Sequence, residues 1–134
     1  MTARGRGLPK LNEINSFFWT SGRDGKLRFQ YCDDCGQFQH PPSVVCAKCL
    51  GERLSPRAVS GLATVETVTV NHQPWTPGME VPYAVAIVCI DEQPSLHLTT
   101  NVVGIDPEAV AIGQRVRVVF EHLEDVWLPL FEQL

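Results

Sequence analysis

The sequence predicts a mainly β protein in which a short N-terminal helix and a metal ribbon precede a five-stranded OB-type barrel. Three observations carry this. CDDCGQFQHPPSVVCAKC, residues 32–49, holds four cysteines as two C-x-x-C pairs with ten residues between them. Five runs dense in β-branched and aromatic residues follow. A single short helical turn interrupts them, between the third and fourth run, as in an OB-fold. A small SH3-like barrel or an open sandwich satisfies the same strand count and stays open at this point. At 134 residues the chain fits one compact domain, or one domain with a small appended module, and can bury a stable core without disulfides.

The elements follow in order. NEINSFFWTSGRDG (12–25) offers Asn12 as a cap and sets Ile14, Phe17 and Phe18 at helical spacing before Gly22 and Gly25, which allows at most three turns. LRFQY then alternates Leu27, Phe29 and Tyr31 on one face, a short strand feeding into Cys32. After the second cysteine pair, GERLSPRAVSG with Pro56 and Gly61 reads as a polar hinge. The expected modules are 1–57, helix and ribbon, and 58–134, the barrel. The five strand runs are 61–72, 82–91, 95–104, 115–123 and 125–133. IDPEAVAIG supplies the helical turn, with Asp106 as cap and Pro107 at the first helical position.

A C-x-x-C turn aims two thiolates at one centre, and two such turns brought together by a hairpin supply a tetrahedral four-sulfur site. Gly36 relieves the first turn, and Leu50-Gly51 does so one position later after the second. Cys32, Cys35, Cys46 and Cys49 are therefore the metal ligands, with structural Zn2+ as the expected ion and iron an occupant that the spacing does not distinguish. Four protein ligands leave no open coordination position, so such an ion activates no water. Its role is to stabilise a ribbon too small to bury a core of its own.

The net charge of −4 is unevenly spread. Up to Arg57 there are nine Lys and Arg against five acids; from Ala58 onward there are two against ten. A single-strand nucleic-acid module, the rival for a zinc ribbon joined to an OB-fold, tracks phosphates with a basic groove. The acidic barrel half opposes that, so no nucleic-acid partner is expected. MTARGRGLPK lacks the apolar run of a secretory signal, and no stretch has the length of a membrane span; a cytoplasmic protein without a membrane partner is the expectation.

Catalytic motifs are missing. There is no phosphate-cradling G-x-x-x-x-G-K-[ST] or G-x-G-x-x-G and no G-x-S-x-G elbow. Cys89, alone in AVAIVCID, reads as a buried small hydrophobe, and His40, His97 and His122 as surface or strand-face residues. No catalytic residue is assigned. His72 and Trp75 sit in a long loop, NHQPWTPGMEVPY, that suits either a partner contact or a folded lid. Phe17, Phe18 and Trp19 are consecutive and cannot all face one way, so at least one should point outward or into another chain. With Trp127 and Phe131 of the tail WLPLF, these form the candidate partner patch.

The order of a short helix, LRFQYCDDCG, the PP before VVCAKC, then GLATVETVTVNH, PYAVAIVCIDE and IGQRVRVVF resembles a known family over residues 18–120. That family comprises acyl-CoA-associated proteins with an N-terminal rubredoxin-like zinc ribbon and a C-terminal OB-fold, small companions of thiolase-like enzymes. The chain departs from its pattern at Asp91-Glu92-Gln93-Pro94, where a glycine usually follows the acidic turn. The resemblance implies a required, non-catalytic subunit of a thiolase-like acyltransferase or aldolase complex, acting in carbon-carbon bond formation or in retro-aldol cleavage such as that of steroid side chains. The partner would supply the catalytic cysteine and histidines. It also implies CoA near the interface, for which Arg23, Lys26 and Arg28 are the candidate contacts, since clustered cations attract its phosphates.

Overall fold

The computed structural model describes residues 7–134, so Arg4 and Arg6 of the opening segment lie outside the described residues. The first helix is shorter than its pattern. Asn12 and Asn15 clasp each other: the Asn12 side chain accepts from the backbone N–H of Asn15 (2.8 Å) and of Ile14 (2.9 Å), while the Asn15 side chain accepts from the N–H of Asn12 (2.9 Å). Such side chains compete with the helix for backbone groups. Only Ser16–Trp19 (α1) is α-helical, followed by a 3-10 turn at Ser21–Asp24 that ends on Gly25 with φ 81°.

The ribbon is a three-stranded antiparallel sheet of Arg28–Cys32 (β1), Phe38–Gln39 (β2) and Leu54–Ala58 (β3), in the order β2-β1-β3. The stretch that reads as a hinge is thus partly a strand. β3 pairs with β1 from Arg28↔Ala58 to Cys32↔Leu54, and Pro56 is tolerated because β3 is an edge. Sequence pattern missed it because LSPRA has neither alternation nor β-branching.

The barrel strands are Leu62–Asn71 (β4), Tyr83–Ile90 (β5), His97–Val103 (β6), Arg115–Leu123 (β7) and Val126–Gln133 (β8). They lie within the five expected runs. They close in the order β4-β5-β6-β8-β7, the last step joining β7 to β4 through Leu62↔Arg117. β6 and β8 pair in parallel at Val102↔Phe131. The 3-10 turn Pro107–Ala109 sits between β6 and β7, and Asp106 caps it by accepting from the Glu108 N–H at 3.0 Å. This five-stranded closed topology resolves the choice among small β architectures in favour of the OB-fold.

Alternation along β5 puts Ala84, Ala86, Val88 and Ile90 inside the barrel. Phe18, Leu27 and Phe29 from the front of the chain join the same buried cluster as Val65, Val88, Val116 and Phe131. The base of the ribbon and the barrel therefore share one core. Each of those three front side chains contributes about 1.5–3 kcal/mol by burial, enough to hold the two parts together. A second cluster covers the other face of β8, where Val126, Leu128 and Leu130 pack against Leu8, Leu11 and Trp19. Two expectations are corrected here. The tail WLPLF is a barrel strand flanked by β6 and β7, with Leu128, Leu130 and Phe131 all buried, not an exposed patch. Cys89 faces outward on β5, half-buried, and its Sγ donates to the Pro94 carbonyl at 3.0 Å.

Candidate metal centre and docking groove

The two cysteine turns are near-copies. In each, the residue after the second cysteine donates its N–H to the carbonyl of the first: Gly36 to Cys32 and Leu50 to Cys46, both at 2.9 Å. Both residues take positive φ, 70° for Gly36 and 63° for Leu50. Leu50 itself, rather than Leu50-Gly51 one position later, is the counterpart of Gly36. A leucine there is strained by about 1–2 kcal/mol and is also 73 % exposed.

Cys32, Cys35, Cys46 and Cys49 bring their sulfurs within 4.8 Å of one another. The Cys32–Cys49 and Cys35–Cys46 pairs stand 3.6 Å apart. Metal–sulfur bonds of about 2.3 Å at tetrahedral angles separate neighbouring sulfurs by about 3.8 Å, so the set fits one tetrahedral ion. Backbone N–H groups face the sulfurs, Lys48 to Cys46 and Gly51 to Cys49, both at 3.4 Å. Backbone hydrogen bonds from Cys49 and Lys48 hold the Cys46 thiol down at about 6, whereas desolvation and the neighbouring thiols push Cys35 up to about 12. A cation is what lets all four ionise together. Asp34 accepts from Arg53 across the ribbon, bracing the first turn from outside.

The other predicted residues scatter. Phe18 is 1 % exposed and Phe131 fully buried, so both are core and neither offers a contact surface. Phe17 and Trp19 are half-buried against that core. Trp75 projects, 71 % exposed. His72 pairs with Glu108 at 3.1 Å, tying the start of the long loop to the 3-10 turn. Trp127 stacks on His122 with ring centroids 3.9 Å apart, and the Arg23 guanidinium lies 5.1 Å from its ring centre. Arg28 makes a bidentate pair with Asp24 (2.7 and 3.0 Å), which holds that carboxyl down at about 2. Lys26 remains exposed.

Sequence reasoning missed a groove of about 1040 Å³ between the front of the chain and the barrel wall. Leu8, Trp19 and His40 line one side, Ile87, His97 and Leu98 the other. Its polar feature comes from a bulge. Between Val65 and Thr67 the β4–β5 register shifts, turning Glu66 outward to meet His97 Nε2 at 2.5 Å. A signal did exist in the apolar Leu8 and Trp19 ahead of the ribbon, but no local pattern places them opposite β5 and β6. His40 is not a free surface residue either: it packs on Phe18 (4.6 Å) and Phe29 (5.3 Å), and burial lowers its pKa to about 4.

Four clustered cysteine sulfurs on a three-stranded ribbon that shares its core with a five-stranded OB barrel define the class: a zinc-ribbon-type module joined to an OB-fold. Comparison with known proteins agrees. Residues 19–55 match the family described as "ChsH2, rubredoxin-like zinc ribbon domain", and residues 56–121 the one described as "ChsH2, C-terminal OB-fold domain". A solved structure titled "Ltp2-ChsH2(DUF35) aldolase" contains a chain 31% identical, aligned over 94% of this chain and 98% of that one with a TM-score of 0.84. The chain belongs to the ChsH2 family of zinc-ribbon and OB-fold proteins. Curated relatives include a probable enoyl-CoA hydratase alpha subunit of Thermomonospora curvata, 33% identical over 94% of this chain. Another is the 3-oxo-4,17-pregnadiene-20-carboxyl-CoA hydratase alpha subunit of Mycobacterium tuberculosis, 31% identical over 92%. The chain spans 39% of the length of each of these two. Among the described residues, no helix is long and apolar enough to cross a membrane.

Proposed function

We propose that this chain is a non-catalytic companion subunit of a thiolase-like enzyme acting on acyl-CoA thioesters, with modules 1–57 and 58–134 and structural zinc on Cys32, Cys35, Cys46 and Cys49. The observation that carries the reading is the near end-to-end match to a chain of an aldolase complex. The relatives' names add acyl-CoA chemistry, including that of a steroid-derived acid. The chain's own chemistry is consistent with a buttress: the metal site is closed by four protein sulfurs, and desolvation, with Glu66 and Asp91 nearby, raises the Cys89 thiol away from the reactive thiolate.

The groove between Trp19 and the β5–β6 face is the candidate wall of a shared CoA or acyl channel, and Trp75 a candidate partner contact. Of the candidate CoA residues, Lys26 is the first to test, because Arg28 is engaged by Asp24 and Arg23 lies over Trp127. Single-stranded nucleic acid is disfavoured: Arg115 and Arg117 of the barrel pair with Asp91 and Glu132, leaving no basic track there. The test is co-expression with a thiolase-like subunit encoded nearby. A stable complex, whose acyl-CoA turnover falls when this chain is withheld while the isolated chain turns over nothing, supports the reading. Thioester cleavage by the isolated chain, or salt-dependent binding of single-stranded DNA or RNA, overturns it.

A further inference from the structure

We infer that Gln93 is a positioning residue, a latch through which the barrel holds the outer hairpin of the ribbon and so governs how firmly the metal is retained. β2 is a two-residue edge strand, paired with β1 on one side only. On its other side the N–H of Phe38 donates to Gln93 Oε1 (2.9 Å), and Gln93 Nε2 donates to the Phe38 carbonyl (3.0 Å). A primary carboxamide thereby offers the same donor and acceptor pair as a residue on a neighbouring strand, satisfying an edge that is otherwise open.

The latch is itself held in place. In the β5–β6 turn, Gln93 donates its backbone N–H to Ile90 (3.1 Å) and accepts at its carbonyl from Leu96 (2.9 Å), while Nε2 also reaches Ser95 Oγ (3.1 Å). Its neighbours point elsewhere: Asp91 pairs with Arg115, and Glu92 accepts from the Ser60 N–H at 2.7 Å. Gln93 alone of the three reaches β2. That strand ends the loop holding Cys35, and the bond next to the latch, Cys32 N–H to the Gln37 carbonyl (2.9 Å), closes the first cysteine turn. Freeing Phe38 therefore loosens the hairpin that presents half of the ligand set. Glutamine suits this position for a chemical reason. Glutamate lacks the donor and sets an oxygen against the Phe38 carbonyl, asparagine is one methylene short, and methionine fills the space with neither bond.

This inference does not depend on which partner the chain serves. The test uses the full metal-loaded chain and two readouts, amide exchange at Phe38 followed by NMR and the rate of zinc transfer to a chelator. Gln93→Met should speed Phe38 exchange and zinc transfer about tenfold each, as expected for two lost hydrogen bonds. Gln93→Asn should do the same, and Glu92→Ala, in the same turn, should leave both rates at the wild-type value. If either Gln93 variant retains wild-type Phe38 protection or wild-type zinc release, or if Glu92→Ala matches them, the latch is refuted.

Discussion

Replacing Gly22 by alanine tests whether the N-terminal segment is built into the barrel or merely lies on it. A Cβ added at Gly22 would stand 2.3 Å from Phe120 Cδ1, 2.5 Å from Phe120 Cγ and 2.8 Å from Trp127 Cβ. Two of these atoms lie at the root of their side chains, so rotating a ring tip does not relieve the clash and the 3-10 turn must lift from the β7–β8 hairpin. Overpacking of this kind costs about 1–3 kcal/mol. For a chain of this size each kcal/mol lowers the melting temperature by roughly 4 °C, so the drop should be about 4–12 °C. Gly7→Ala is the control, since nothing lies within 4 Å of its added Cβ. Thermal unfolding followed by circular dichroism on metal-loaded protein reads both. Loss of the Arg23–Trp127 contact should appear as a change in tryptophan fluorescence. A Gly22→Ala protein melting with wild type, or no lower than Gly7→Ala, refutes the claim that this turn seats directly on the hairpin.

Cys46→Ser should abolish stoichiometric zinc binding and unfold the ribbon, so that partner assembly is lost; a complex that assembles normally but turns over slowly contradicts a purely structural metal. Leu50→Gly relieves a positive-φ leucine and should raise stability by up to about 1 kcal/mol in denaturant titrations; unchanged or lower stability means the exposed side chain contributes more than its backbone strain costs. Burial lowers the His40 pKa from 6.5 to about 4, so the unfolded chain takes up a proton that the folded chain resists. The corresponding stability is complete above pH 6.5 and is lost as pH falls towards 4, by at most about 3 kcal/mol, less where solvent reaches the ring. His40→Leu should flatten that slope in urea titrations between pH 7 and 4.5, and an unchanged slope assigns it to other groups. Trp75→Ala should weaken binding to the partner subunit at unchanged melting temperature; unaltered affinity removes the long loop from the interface.

Local chemistry made much of this protein readable from its sequence. Each C-x-x-C turn fixes its own pair of sulfurs, and the barrel strands announce themselves through alternation that one buried face imposes. The Asp106-Pro107 turn likewise depends on neighbours in the chain alone. What failed to show depends on contacts between distant residues. LSPRA becomes a strand because β1 offers it an edge, and within WLPLF Leu128 and Leu130 are covered by Leu8, Leu11 and Trp19 while Phe131 enters the barrel core. Phe18 and Trp19 are adjacent, yet one enters the core and the other borders a groove, a division set by the barrel beneath them. Residue order alone marks out the four-cysteine cluster and the number of barrel strands. Tertiary structure alone decided the sharing of one core by ribbon and barrel, the groove between them and the Gln93 latch, because each joins segments whose separation no local periodicity encodes.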